Sequence, residues 1–147
     1  SYHGNHPAHQ WVGTSNQILG TFLFNQENPE LSKVDLSVPV FSIDSKNSNR
    51  DSNMLDVIEE YFYPVVSFTS SRIEKKDNHY QVVGNLFFHG VKKEVSLPVD
   101  LLIEEDRVIV KSNFEIKLSN YQIKRPSLLA IRINNVITIE FYLVGKL

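Results

Sequence analysis

The chain has 147 residues, a formal net charge of −2 and 41% hydrophobic residues, which fits one domain, residues 1–147, with an ordinary core. So slight a charge argues against nucleic acid as the main partner, which would call for a basic excess. There is no cysteine, so neither a disulfide framework nor a thiolate metal site is available, and no run approaches the ~18 apolar residues of a membrane span.

The first ten residues are polar and place His3, His6 and His9 three apart. A processed or trimmed start has the same look. Alternation of period two then begins: Ile18, Gly20, Phe22 and Phe24 share one face of an extended segment, as do Val34, Leu36, Val38 and Val40. The stretch Asp51–Phe62 changes period, placing Met54, Leu55, Ile58 and Phe62 at helical spacing. Asp51 or Ser52 is suited to cap it, and Pro64 forces an end.

Period two resumes at Val66, Phe68 and Ser70. It is strongest in Val82–Ile103, where Val82, Leu86 and Phe88 precede a His89-Gly90 break and Val91, Val95, Leu97, Val99, Leu101 and Ile103 follow it. This predicts a long hairpin whose turn uses the freedom of Gly90. A further run is Val108, Val110, Ser112, Phe114, Ile116 and Leu118. Next comes an irregular stretch, Tyr121–Ile131, expected to be a short helix or a rim loop. The last run is Ile133, Asn135, Ile137, Ile139, Phe141 and Leu143. Turn signals at Asn25–Pro29, Lys75–Asn78 and Glu104–Asp106 separate the runs. The pattern predicts an all-β antiparallel barrel or sandwich with one short helix. Closure into a barrel would remove the sheet edges. The arm Val91–Ile103 alone spans ~44 Å at ~3.4 Å per residue.

Four motifs fall in order: Gln10-Trp11-Val12-Gly13 through Gly20-Thr21-Phe22; Val38–Ser45 with Arg50-Asp51-Ser52-Asn53-Met54-Leu55; Phe62-Tyr63-Pro64-Val65-Val66-Ser67-Phe68-Thr69-Ser70; and Val83-Gly84-Asn85-Leu86-Phe87-Phe88-His89-Gly90-Val91-Lys92-Lys93-Glu94-Val95. Their order and spacing resemble the YceI-like family over nearly the whole chain, and Asn113–Tyr121 with Asn135–Val144 look like its closing strands. The departures are Phe87 and Lys92 where the family usually has threonine, and an HP-x-H-x-W start at His6–Trp11. The resemblance implies an eight-stranded, lipocalin-like antiparallel barrel. It also implies a bacterial protein, periplasmic or secreted after loss of a signal peptide, capable of forming a homodimer. Its partner would be an isoprenoid-like lipid or a quinone held without catalysis, and no cofactor is implied.

On that basis Phe22, Phe24, Val38, Val40, Phe68, Leu86, Phe88, Leu97, Val99, Phe114, Ile116, Ile139 and Phe141 would line a tunnel for a lipid tail, with Met54, Leu55 and Ile58 over one end. The same alternation also describes the packed core of any barrel. A phosphate or quinone head would sit at the mouth, for which Arg50, Lys124 and Arg125 are the candidates, since arginine donates in pairs to phosphate. Two alternative functions are an envelope metal-binding or stress-related protein, with His3, His6 and His9 wrapped round one ion, and an interaction module whose barrel is packed shut. In an extended segment His3 and His9 share a face that His6 opposes. His89 reads as a turn residue. Ser70, Ser112 and Asn135 are the polar members of the inward sets, with no acid or base partner in the sequence, so catalysis is not expected.

Overall fold

A computed structural model describes residues 1–128 and 131–147. The elements are β1 (Tyr2–His6), β2 (His9–Gly13), β3 (Leu19–Leu23), β4 (Lys33–Pro39), α1 (Ser48–Val57), β5 (Val65–Lys75), β6 (Tyr80–Phe88), β7 (Val91–Ile103), β8 (Arg107–Lys117), β9 (Ser127–Leu128), β10 (Ile131–Arg132) and β11 (Val136–Lys146). Nine strands form one sheet in the order β2-β1-β11-β8-β7-β6-β5-β4-β3, and β9 pairs with β10 apart from it. Every ladder is antiparallel. The sheet curls into a half-barrel and has nine strands, not the eight expected.

The extra pairing comes from the chain's start. Residues 2–13 form a hairpin, β1–β2, and β1 docks on β11 with Tyr2 opposite Ile139. Glycine and histidine fill the positions where apolar residues would announce a strand, so alternation was silent there. Among the described residues no ladder joins β2 to β3. Beyond the end of β2, Thr14 and Asp44 exchange backbone hydrogen bonds of 3.0 and 2.9 Å, and Ser15 Oγ meets Ser42 Oγ at 2.6 Å.

The predicted hairpin β6–β7 forms with Phe88 opposite Val91, and its two turn residues, His89 (φ 51°) and Gly90 (φ 70°), are both left-handed. That is the turn whose twist matches the strands it joins. Gly84 in β6 serves close approach: a Cβ there would lie 2.3 Å from the Thr69 carbonyl oxygen and 2.7 Å from Phe68 Cζ. It sits opposite Ser70, beside the irregularity where β5 slips register.

The helix is shifted from its expected span. It starts at Ser48, because Asn47 accepts a hydrogen bond from the Arg50 backbone N–H at 3.0 Å and caps the end. It ends at Val57, because Glu59 turns left-handed (φ 52°). Asp51 is therefore an internal residue whose carboxylate holds Ser45, and Phe62 lies past the helix and is exposed. Val40 also leaves its strand: β4 stops at Pro39 and Val40 begins a 3-10 turn, buried at 1% exposure. The last strand starts at Val136, so Ile133 and Asn135 belong to the loop before it. Of the predicted irregular stretch Tyr121–Ile131, positions 129 and 130 lie outside the described residues; the remainder holds the last residue of a 3-10 turn, Leu118–Tyr121, all of β9 and the first residue of β10.

Candidate functional site: an apolar cavity with a polar rim

The inward residues form two apolar clusters. One gathers Val40, Ile58, Leu86, Ile116, Tyr121 and Ile137 beneath α1. The other gathers Ile73, Val82, Leu97, Val99, Val108 and Val110. Phe68, Val95 and Phe114 pack against both. The two clusters do not merge into a solid core. Between the walls is a cavity of about 530 Å³, inside the ~300–1,000 Å³ range of small-molecule sites.

The cavity wall includes Phe22 and Phe24 beside β3–β4, Val38 and Val40, and Phe68 of β5. It continues through Leu86 and Phe88 of β6, Leu97 and Val99 of β7, Phe114 and Ile116 of β8, and Ile139 and Phe141 of β11. Alternation aims these side chains to one face, and the curl of the sheet turns that face inward. Met54 and Ile58 of the helical segment line it too, with Val57 between them in the stripe. Leu55 does not line the cavity. It is one position off the 54–57–58 stripe and packs on the first cluster instead.

The rim differs from expectation. Arg50, in the first turn of α1, lines the cavity, whereas Lys124 and Arg125 do not. Lys124 follows buried Ile123 and is exposed, and Arg125 Nη1 donates to the Ile133 carbonyl at 3.2 Å. The residues around Arg50 come from the hairpin that alternation did not reveal. His9 and Trp11 rings stack with centroids 5.9 Å apart. The Arg50 guanidinium lies 5.4 Å from the Trp11 ring centroid and its Nη2 is 3.1 Å from His9 Nε2. Trp11 Nε1 donates to Tyr2 Oη at 3.1 Å. The signal for this group was Tyr2-x-Gly4-x-His6 and His9-x-Trp11-x-Gly13, alternate positions across a Pro7-Ala8 turn.

The three amino-terminal histidines do not converge. His6 pairs with His9 across the hairpin, so these two share the inner face and His3 is the one opposed, reversing the extended-segment expectation. His6 is held by its own turn, Nδ1 accepting from the Ala8 N–H at 3.1 Å and Nε2 lying 3.2 Å from the Ile131 carbonyl. His3 Nε2 lies 3.1 Å from Glu140 Oε2 on the outer side, without hydrogen-bond alignment. Among the described residues no group of three or more histidine, aspartate or glutamate side chains is placed to hold a metal ion.

The inward polar residues named from sequence are used by the fold and are absent from the cavity wall. Ser70 Oγ accepts from the Val34 N–H at 2.9 Å, Ser112 Oγ donates to the Pro98 carbonyl at 2.6 Å, and Asn135 joins Ser119. His89 is more than a turn residue. Nδ1 reaches the Tyr121 carbonyl at 2.8 Å and Nε2 reaches Glu59 Oε2 at 2.7 Å, joining the β6–β7 turn, the end of the helical segment and the 3-10 turn after β8.

Burial raises the phenols of Tyr121 and Tyr2 above the usual value of 10, at Tyr2 against the lowering effect of its hydrogen bond with Trp11. The folded state therefore keeps protons that the unfolded chain releases first. The stabilising contribution is complete below about pH 10 and declines as pH rises through the raised values. Stability measured from pH 8 to 11 is expected to fall at the alkaline end, and Tyr121→Phe should flatten that fall. An unchanged slope in the variant would contradict this assignment.

The fold and the site define a curled antiparallel half-barrel round an apolar cavity. The family model of the YceI-like domain matches residues 2–145, and the chain belongs to the YceI-like family. It is 30% identical to Protein YceI of Escherichia coli O157:H7 over 128 residues, covering 81% of this chain and 67% of that protein. A UPF0312 protein of Photorhabdus laumondii is likewise 30% identical over 130 residues, at 81% and 67% coverage. Among solved structures, Burkholderia cenocepacia BcnA superposes with a TM-score of 0.85 at 18% identity, covering 98% of this chain and 94% of that one. A polyisoprenoid binding domain from Saccharophagus degradans gives 0.70 at 15% identity, with 97% and 90% covered. At these identities the structural likeness is one of fold.

Proposed function

We propose that the protein binds an amphiphilic, isoprenoid-type lipid by its tail in the apolar cavity, without catalysis, and stores, shields or carries it in the bacterial envelope. The observation that carries this reading is a cavity of about 530 Å³ whose wall is built mainly of aliphatic and aromatic side chains. Its apolar stretches exclude water from any chain that enters. Each buried methylene contributes ~0.8 kcal/mol, so affinity rises with tail length and needs no specific polar contact. Membership of the YceI-like family and the fold shared with a polyisoprenoid binding domain support the isoprenoid class.

The test is a series of prenyl alcohols of increasing length, titrated calorimetrically in detergent-free buffer. Affinity is expected to climb by about three orders of magnitude per five-carbon unit, then level off once the cavity is full. A length-independent or absent signal across the series would remove the tail-binding reading. Native mass spectrometry of the purified protein with solvent extraction would identify any lipid that accompanies it.

A further inference from the structure

We propose that the cargo carries an anionic oxyanion head, a phosphate monoester or a carboxylate, which docks on the guanidinium of Arg50 at the cavity rim. The proposal rests on the tail-binding reading above and goes further by naming the head group.

Arg50 is the one lysine or arginine among the described residues that line the cavity. It forms no ion pair with any described carboxylate. Its sequence neighbour Asp51, and Glu140, the one carboxylate among the described residues that line the cavity, are already engaged. Asp51 accepts from the Ser45 backbone N–H at 3.1 and 3.2 Å through its two oxygens and from Ser45 Oγ at 2.5 Å. Glu140 accepts from Asn113 Nδ2 at 3.2 Å through one oxygen and faces His3 through the other. A cation left unpaired beside an apolar surface is poorly solvated on that side, and an anion arriving with a buried tail supplies its missing partner.

The guanidinium is also held in place. It lies against the Trp11 ring and Nη2 meets His9 Nε2, while Nη1 makes only a long contact, 3.4 Å, to the Ser45 carbonyl. Arginine presents five donors in a fixed fork, so this arrangement leaves donors for a second acceptor. A neutral ring head finds less here. The Trp11 indole is already in contact with His9 and Arg50, a Cβ on Gly4 would fall 2.2 Å from it, and its N–H is used by Tyr2. The chain's net charge of −2 offers no general attraction for anions, so selection falls to this one side chain.

The experiment holds the tail constant and varies the head: farnesol, farnesoic acid and farnesyl phosphate are titrated into the full chain. The two anions are expected to bind about 10- to 100-fold tighter than the alcohol, as charge-assisted hydrogen bonds allow. In Arg50→Gln that ratio should fall to near one, and Arg50→Lys should restore part of it. Circular dichroism shows whether each variant is folded, and Lys124→Gln, outside the cavity wall, should keep the wild-type ratio. Preference for both anions assigns a general oxyanion site, and preference for the phosphate alone assigns a phosphoryl head. Equal binding of all three ligands, or a ratio that survives Arg50→Gln, overturns the head-group proposal and leaves tail binding standing. Failure of all three to bind overturns both.

Discussion

Val95→Trp is expected to abolish lipid-tail binding while the half-barrel stays folded. Val95 lies on β7 opposite Gly84, lines the cavity and packs against both apolar clusters. Cross-strand partners share a face, and the partner here has no side chain. An indole at position 95 therefore grows into the middle of the cavity, next to the Phe68 ring that lies over Gly84. Excluding one five-carbon unit of tail removes about 4 kcal/mol, a loss on the order of a thousandfold in affinity. Overpacking of a full core costs about 1–3 kcal/mol, but here the added volume enters space that is empty. The check pairs calorimetric titration of a prenyl alcohol with a melting curve. A folded Val95→Trp protein that still binds within threefold of wild type would show that the tail lies elsewhere.

Tyr121→Ala carries the largest expected loss of stability, about 3–5 kcal/mol by the measure of large aromatic truncations in cores. Tyr121 is 2% exposed, and its ring meets Phe88 at 5.5 Å between centroids. It is absent from the cavity wall, so its truncation opens a hole in packed structure. Its carbonyl also accepts from His89 Nδ1, so a shift of this turn disturbs the clamp that reaches Glu59 and the helix end. For a domain of this size the melting temperature should fall by roughly 10 °C. Tyr121→Phe, which keeps the ring, should lose much less at neutral pH. A fall below about 1 kcal/mol for Tyr121→Ala, measured by urea unfolding, would mean that the site collapses without a cavity.

Much of this protein is legible in its sequence. The strands β3 to β8 and most of β11 follow from alternation, because a half-buried strand must alternate when one face is wet. The predicted arm Val91–Ile103 is the observed β7. Most of the cavity wall could be named for the same reason: inward position is a property of parity within each strand. The amino-terminal hairpin was not legible, since Tyr2, Gly4, His6, His9, Trp11 and Gly13 mix aromatic, polar and glycine residues in a strand pair that closes a rim rather than a core. The helix was legible as a helix but not in its limits, because an Asn47 cap and a left-handed Glu59 set the ends and neither interrupts the apolar spacing.

What the sequence determined by itself was the class of the fold and which side chains face inward, because parity and turn chemistry are local properties of the chain. What only the tertiary structure decided was whether the inward faces meet or stand apart, and which charge stands at the opening. Alternation is the same for a packed barrel and a hollow one; the hollow depends on the curl of nine strands and on the seam between β2 and β3. Lys124, Arg125 and Arg50 are equally plausible at the rim when read along the chain. Only the docking of β1–β2 beside α1 brings Arg50 onto Trp11 and His9, 39 and 41 residues away in sequence, and leaves the other two outside.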